Sequence, residues 1–169
     1  WRYRRIPPGW RWPAWCCRSR PHSQAARWRP RCAPGCGDDR TADYHDRLNT
    51  DLLARLPAGA RYVLEIGCGS GALARAYRAG HSAADYTGVE CDAAAARRAQ
   101  AACTRVVLGD IEAAACWQAL DQLRPGPGWD LVVLGDVLEH LRDPLATLAA
   151  LAARASSDAR CVACIPNVG

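Results

Sequence analysis

Hydrophobic and polar positions fall into two alternating patterns after about residue 40 of the chain. Short apolar runs at 61–66, 86–90, 105–108, 130–134 and 160–165 have the length and composition of buried β-strands. Between these runs, apolar residues recur every three or four positions, which indicates helices that pack by one face. The pattern therefore predicts strands that are each separated from the next by a helix.

Capping and stop signals set the bounds of the first predicted helix. Thr41 or Asp43 can cap its start, and Pro57 and Gly59 end it. Its apolar face consists of Tyr44, Leu48, Leu52 and Leu56. Further helices are predicted at about 70–79, at 93–102 with Asp92 as a cap, and at 111–123.

Two of the later helices carry more specific signals. The helix at 70–79 has Leu73, Ala76 and Tyr77 on its inner face, and Gly80 suits the position just after its end. Asp143 followed by Pro144 is typical of an N-cap and a first helical residue. We expect the inner face of this last helix to consist of Leu145, Leu148, Ala149 and Ala152.

The alternation of strands and helices predicts an α/β fold with a doubly wound, mostly parallel, Rossmann-like sheet. Right-handed crossovers place helices on both faces of such a sheet. Ligands bind beyond the carboxyl ends of its strands, where the strand order reverses. Every candidate site residue lies at the carboxyl end of a predicted strand, so we expect one site at that edge.

A glycine turn, formed by Gly67, Cys68, Gly69 and Gly71, joins the strand at 61–66 to the helix at 70–79. Glycines adopt positive φ and let the backbone approach a ligand closely. The free N–H groups at the start of the next helix point into the same space. Glu65 lies just before the turn, where its carboxylate can meet a cationic or amine-bearing ligand. We predict a nucleotide-cofactor site here, with Cys68 as a small turn residue rather than a nucleophile.

Charge and composition set residues 1–40 apart from residues 41–169. Ten arginines and five of the seven tryptophans lie in the first segment, against only two carboxylates, Asp38 and Asp39. The second segment has more carboxylates than arginines, so the overall charge of +5 does not describe it. Interleaved Trp and Arg could stack on nucleic-acid bases. The unpatterned composition favours a disordered leader at 1–40, followed by one domain at 41–169.

The ten cysteines do not form the pattern of a secreted disulfide framework. Those at 68, 91, 103, 116, 161 and 164 occupy strand, turn or helix positions as small apolar residues. Cys32 and Cys36 follow Cys16 and Cys17 without the second pair that is usual for zinc, so we predict no metal site. No apolar run is long enough to span a bilayer. A reducing cytoplasm is therefore the expected location.

Several segments together resemble the class I S-adenosylmethionine-dependent methyltransferases, in their small-molecule branch. The matching segments are Val63–Gly71 (motif I), Gly88–Asp92 (the acidic end of strand two), Leu108–Asp110 (the end of strand three), Trp129–Leu141 (the strand-four signature) and Ile165–Val168 (the end of strand five). The resemblance covers about residues 43–169 in order. It implies S-adenosylmethionine as cofactor and a small-molecule, lipid or sugar acceptor rather than nucleic acid.

The resemblance also implies roles for the methionine and ribose contacts. Backbone amides of the glycine turn would meet the methionine carboxylate, while Glu65 and the backbone around Gly135 would bind the amino group. Glu90 would accept hydrogen bonds from the two ribose hydroxyls, which suits the several lone pairs of a carboxylate. A helix-capping role remains the alternative for Glu90.

The adenine contacts implied by the resemblance lie after the second and third strands. Asp110 would accept a hydrogen bond from the exocyclic amine, and Ile111 or Cys91 would pack on the ring. Asp110 could instead simply cap the helix that follows it.

Asp136 and His140 are the candidate catalytic residues. They are four positions apart, so they share a face at the rim of the site if a helix begins near Asp136. Methyl transfer from a sulfonium is an in-line displacement that depends mainly on alignment. His140 could act as a base for a hydroxyl or protonated amine acceptor, or it could be a structural residue of its loop. Asn167 is a further candidate for the acceptor pocket.

Two other functions remain open at the level of sequence. Gly67, Gly69 and Ala72 also fit a dinucleotide fingerprint, and Glu90 stands where its ribose-binding acid is expected, so an NAD(P)-dependent oxidoreductase is an alternative. The charge of Glu65 and the third glycine, Gly71, argue against that interpretation. The second alternative is a non-catalytic cofactor-binding fragment. Members of the resembled family continue for two more strands, so we expect the domain to be incomplete at its C-terminus and its oligomeric state to remain open.

Overall fold

The computed structural model of the protein describes residues 46–165. Its strands are β1 (Tyr62–Ile66), β2 (Asp85–Glu90), β3 (Arg105–Leu108), β4 (Trp129–Gly135) and β5 (Ala155–Cys164). Its helices are α1 (Thr50–Leu53), α2 (Ala72–Gly80), α3 (Ala93–Ala99), α4 (Ala114–Leu123) and α5 (Pro144–Ala152), and a 3-10 helix at Leu138–His140 follows β4. The predicted alternation is confirmed. The leader at 1–40, the predicted caps Thr41 and Asp43, and Asn167 lie outside the described residues.

The strands of the described segment form a single parallel sheet in the order β3-β2-β1-β4-β5. The chain runs outward from β1 to β3 and then crosses back, so that β4 lies on the other side of β1. Glu65 in β1 is paired with Gly88 of β2 and Val133 of β4. The predicted doubly wound, mostly parallel sheet is confirmed. Because the strand order reverses between β1 and β4, the ligand-binding crevice of this fold lies at their carboxyl ends.

Each face of the sheet buries its own apolar core, because successive residues of a strand point to opposite faces. Val63 and Tyr86 belong to the core beneath α1, α2 and α3. Leu64 and Ile66 belong to the core beneath α4 and α5. Both faces of the central strands are therefore covered, which explains their nearly continuous apolar sequences. Within residues 46–165, no helix is both long enough and apolar enough to cross a membrane.

The first predicted helix is wrong in its extent. Residues 46–49 are not helical, and α1 begins at Thr50 with Asn49 as its N-cap. The side-chain oxygen of Asn49 accepts the amide of Leu52 at 2.9 Å. Leu48 lies before the helix and is exposed, whereas Leu52 is buried against the sheet. A local cap therefore starts this helix later than the four-residue spacing suggested.

The helices α2 and α4 differ from prediction at their ends and inner faces. In α2 the buried residue beside Leu73 and Tyr77 is Ala74 rather than Ala76, and Gly80 is the last helical residue instead of the one after it. Helix α4 begins at Ala114, not at residue 111. The first residues of the predicted α4 segment instead form a turn, in which the Asp110 carboxylate accepts the amide of residue 112 at 2.9 Å.

The predicted inner face of α5 is wrong, although its start is confirmed. Asp143 accepts the amide of Ala146 at 2.9 Å, and Pro144 is the first helical residue. The buried side chains are Thr147 and Leu151, whereas Leu145 is 70% exposed. Several small and apolar residues make this helix almost uniformly hydrophobic. The spacing of its apolar residues therefore did not show which face is buried. Strand β5 also begins earlier than predicted, at residue 155.

Candidate functional site

The glycine turn is held by backbone geometry that only glycine adopts easily. Gly67, Gly69 and Gly71 have φ values of 72°, 53° and 80°. The amide of Gly67 donates to the carbonyl of Val89 at 2.8 Å, which fixes the turn to the end of β2. A Cβ atom at Gly67 would lie 2.6 Å from Cγ2 of Val137, just beyond β4. The turn therefore lies between the carboxyl ends of β2 and β4.

Glu90 ends β2 with its side chain buried against the glycine turn. Its Oε2 accepts the Gly69 amide at 2.8 Å, and its Oε1 accepts the Asp92 amide at 2.8 Å. A carboxylate offers about four lone-pair positions, so acceptor capacity remains for a ligand. The Gly69 amide is thus already bonded to protein, which the sequence did not indicate. The ribose contact of Glu90 stays a prediction.

Glu65 lies inside β1 and is 5% exposed. The hydroxyl of Tyr86 donates to its Oε2 at 2.9 Å. Burial raises the pKa of Glu65 to about 8, against the lowering effect of the Tyr86 hydrogen bond and with a further raising effect from Glu90. No Arg or His side chain in the described part of the chain forms an ion pair with Glu65. A buried acid without a cationic partner is therefore present at the predicted amine-binding position.

The predicted adenine-side residues occupy three different environments. Asp110 is exposed at the end of β3, next to Glu90, whose carbonyl accepts the Gly109 amide at 2.9 Å. Cys91 is also exposed. Ile111 is 5% exposed and packs into the core beneath α4 and α5. Asp110 and Cys91 are therefore exposed, whereas little of the Ile111 side chain is available to pack on a ligand.

The predicted helical face of Asp136 and His140 is wrong. Asp136 has a φ of 53°, which no α-helical residue adopts, and its amide donates to the carbonyl of Cys164 at 3.0 Å. His140 belongs to the 3-10 helix instead, with its Nε2 3.9 Å from Oε1 of Glu139. The pKa of Glu139 is raised above its ordinary value, mainly by burial and also by Asp136, against the lowering effects of a backbone hydrogen bond and of His140. The two candidates thus lie in one short loop that also carries Glu139, and their catalytic roles stay predictions.

Backbone at the end of β4 lies close to α1. Gly135 has no side chain, and a Cβ atom there would lie 2.9 Å from Cδ2 of Leu52. Gly135, the last residue of β4, is partly exposed. The amino-group contact of Gly135 stays a prediction.

Three residues that contribute to the site were not identified from the sequence. Tyr86 supports Glu65, and Gly88 makes room for the glycine turn, since a Cβ atom at Gly88 would lie 2.6 Å from Sγ of Cys68. Glu112 accepts the amides of Arg142 and Asp143 through Oε1 at 2.9 and 3.0 Å, which joins the loops after β3 and β4. A glycine inside a strand is a known sign of close approach. The contacts of Tyr86 and Glu112 depend on strand register and on the packing of loops, which local sequence does not indicate.

The carboxyl edge of the sheet is acidic. Its carboxylates come from the ends of four neighbouring strands, namely Glu65, Glu90, Asp110 and Asp136. Within residues 46–165, none of them forms an ion pair with arginine. In the same range, no three His, Cys, Asp or Glu side chains are grouped closely enough to hold a metal ion. Such an edge favours a cationic, hydroxyl-bearing ligand over one that carries several phosphates.

A family of known proteins matches most of the chain. A family described as a methyltransferase domain matches residues 38–169. No curated protein matches the chain.

Solved structures with a similar fold include several methyltransferases. The complex between the Haloferax volcanii Trm112 methyltransferase activator and a candidate methyltransferase matches with a TM-score of 0.53 and 21% identity, over 69% of this chain and 50% of that one. A TehB-like SAM-dependent methyltransferase from Corynebacterium glutamicum has a TM-score of 0.49 and 26% identity, over 67% of this chain and 59% of that one. The plantazolicin methyltransferase BpumL in complex with SAH has a TM-score of 0.48 and 16% identity, over 69% of this chain and 41% of that one. This chain thus spans less than two thirds of each of these structures.

Proposed function

The chain belongs to the methyltransferase domain family, and on this premise we propose that it binds S-adenosylmethionine at the glycine turn and transfers its methyl group to another molecule. The observation that carries the proposal is the pair of buried carboxylates, Glu65 and Glu90, on adjacent strands beside a turn of three positive-φ glycines. This arrangement combines acceptors for an ammonium group and for hydroxyl groups within one crevice.

The hydrogen-bond acceptors of the crevice match the donor groups of S-adenosylmethionine one by one. Glu65 and the backbone at Gly135 would accept hydrogen bonds from the α-ammonium group. Glu90 would accept the ribose hydroxyls through lone pairs that Gly69 and Asp92 do not use. Asp110 would accept a hydrogen bond from the exocyclic amine of adenine, beside the exposed Cys91. When bound, the cofactor supplies a sulfonium-activated methyl group for an in-line displacement.

The acidity of the site supports this cofactor over a dinucleotide. A nicotinamide dinucleotide would bring a pyrophosphate to the glycine turn, where the Gly69 amide already donates to Glu90 at 2.8 Å. A pyrophosphate offers no cation to pair with Glu65 or Glu90, and it repels either carboxyl group in the ionised form. S-adenosylmethionine instead carries a sulfonium and an ammonium group, which the carboxylates attract. The same argument favours a small-molecule, lipid or sugar acceptor over nucleic acid, whose phosphates need cationic side chains.

On the acceptor side, the loop after β4 offers the groups that could move a proton. His140 is exposed, its Nε2 lies 3.9 Å from Oε1 of Glu139, and Asp136 precedes both residues in the same loop. His140 would accept a proton from an acceptor hydroxyl or ammonium, while Asp136 and Glu139 would stabilise the imidazolium that results. We propose a reducing cytoplasm as the compartment in which the protein works.

Calorimetric titration of the full chain with S-adenosylhomocysteine and, separately, with NAD tests the cofactor. We expect only S-adenosylhomocysteine to bind, and Glu90→Ala to weaken that binding at least about tenfold, since the variant loses charge-assisted hydrogen bonds worth about 1.5–3 kcal/mol each. Binding of NAD alone would reassign the protein as an oxidoreductase.

Matched control variants test whether binding depends on the site carboxylates or only on the negative charge of the protein. Asp158→Asn removes an exposed carboxylate near Asp130 and Arg160, at the opposite end of the sheet, and should leave the affinity unchanged. His140→Ala should also bind S-adenosylhomocysteine normally but slow methyl transfer to a hydroxyl or amine acceptor. Unchanged turnover of His140→Ala would remove it as the base. Binding without transfer to any acceptor would favour a non-catalytic cofactor-binding module.

A further inference from the structure

The side chain of Tyr86 holds Glu65 from within the core. Tyr86 is fully buried in β2, and its ring lies 6.1 Å from that of Tyr77. Its backbone amide is fixed in turn by Oγ1 of Thr104 at 3.0 Å. The hydroxyl therefore has little freedom and donates to Oε2 of Glu65 at 2.9 Å. This geometry sets the orientation of the carboxyl group at the edge of the crevice.

The groups that face Glu65 are acidic or neutral on every side. Strand β2 contributes Tyr86 and Glu90, and the glycine turn contributes the buried thiol of Cys68. On the β4 side its neighbour in the sheet is the apolar Val133. In the described segment no cation compensates a charge at Glu65. An ionised carboxylate is costly in such surroundings, so the group retains its proton while no cation is bound.

We propose that Tyr86 is a positioning residue for Glu65, and that an α-ammonium group entering the crevice takes the place of a proton on the Glu65 carboxyl. The proposal rests on the proposed function, because it assigns the ammonium group to the methionine part of the cofactor. In the ligand-free protein Glu65 is a neutral acid that accepts the Tyr86 hydrogen bond. On binding, its O–H bond breaks, the proton passes to the buffer, and the resulting carboxylate pairs with the ammonium group.

The pKa of Glu65 supports this exchange and fixes its direction. Because burial raises it to about 8, binding at lower pH must first remove the proton. Apparent affinity should therefore rise by up to about tenfold per pH unit between about pH 6 and about pH 8, and then level off. Loss of the Tyr86 hydroxyl removes an interaction that lowers this pKa, so the levelling should move to higher pH.

The test is calorimetric titration of the full chain with S-adenosylhomocysteine across this pH range, in two buffers with different ionisation enthalpies. For the wild-type protein we expect release of close to one proton per ligand near neutral pH. Glu65→Gln should bind without that release and with a flatter pH profile. Tyr86→Phe, which keeps the buried ring, should still release the proton, but its profile should be displaced upward in pH. Thermal melts verify that each variant is folded.

A second ligand keeps this inference separate from the proposed function. 5′-Methylthioadenosine shares the adenosyl thioether but lacks the amino-acid part, so it should bind without proton release at any pH. If S-adenosylhomocysteine binds with the same proton count and pH profile in wild type and Glu65→Gln, the exchange is refuted. If Tyr86→Phe has the wild-type profile, the positioning role is refuted. If neither ligand binds to the wild-type protein, the proposed function itself fails.

Discussion

At the scale of single residues, backbone conformation marks Asp136. It is the one non-glycine residue with positive φ among those described, and it lies between β4 and the 3-10 helix that carries His140. Left-handed conformations occur for aspartate more readily than for most residues, but they still cost energy relative to glycine. Strained residues of this kind cluster at ligand sites, where the surrounding structure holds them. The conformation explains why the predicted helix from Asp136 does not form.

We expect a fixed order of stability among Asp136 variants. Asp136→Gly and Asp136→Ala both remove the carboxylate, so their difference reports the backbone alone. The glycine variant should be more stable than the alanine variant by about 1 kcal/mol. Asp136→Asn should remain near wild type, because asparagine tolerates the same φ. Thermal or denaturant unfolding measures this order, and an alanine variant as stable as the glycine variant would show that the positive φ is not kept in solution.

At the scale of elements, Glu112 joins two loops that border the site. Its carboxylate accepts the amides of Arg142 and Asp143, and its Oε2 lies 3.6 Å from Nε of Arg142. The turn after β3, which carries Asp110, is thereby fastened to the segment between His140 and α5. Because these groups are near the surface, water can replace the lost bonds, so the effect on stability is modest while the effect on loop order is direct.

Removal of this link should loosen the loop after β4. For Glu112→Ala we expect faster hydrogen exchange at Arg142 and Asp143, and a loss of stability of about 1 kcal/mol. Glu112→Gln keeps one acceptor oxygen, so it should change both the exchange rates and the stability less than Glu112→Ala does.

The control for the loop experiment is Asp121→Ala. It removes another carboxylate that is bonded to Arg154, at 2.7 and 2.8 Å, away from this loop. Exchange in the loop should stay unchanged in that variant. Equal exchange rates in wild type and Glu112→Ala would show that the loop is held by other contacts.

At the scale of the whole molecule, the buried acid of the crevice ties folding stability to pH. The folded-state pKa of Glu65 is about 8, against an ordinary value of 4.5. Between these values the folded protein holds a proton that the unfolded chain has released. The stability associated with neutral Glu65 is therefore fully present below about pH 4.5 and is lost as pH rises to about 8. A carboxyl group buried in an apolar core therefore makes the ligand-free fold less stable near neutral pH than at low pH.

Thermal melts of the ligand-free protein test this cost. Glu65→Gln should be more stable than wild type near pH 8, by up to a few kcal/mol, and the difference should shrink toward pH 5. Glu112→Gln, which alters a carboxylate near the surface, provides the comparison and should show no such trend. A constant difference between Glu65→Gln and wild type at all pH values would contradict the buried, proton-holding state.

The limits of sequence-based prediction are visible at particular residues. Asp92 and Asp143 were predicted as helix caps and are caps, because capping depends on residues only three positions apart. The inner face of α5 and the start of α1 were wrong, because burial depends on which surface of the sheet each helix meets. Tyr86 was assigned only to a strand. Its contact with Glu65 follows from the register of β1 against β2, which local pattern does not specify.

The sequence by itself determined the alternation of strands and helices, the glycine turn, and the placing of acidic residues after successive strands. These features depend on short-range rules: side-chain period, backbone freedom of glycine, and the direction of parallel strands. The tertiary structure alone decided the position of Asp136 outside a helix, the use of the Gly69 amide by Glu90, and the enclosure of Glu65 with Tyr86. Those outcomes depend on contacts between residues far apart in the chain, whose distances and burial exist only once the sheet has formed.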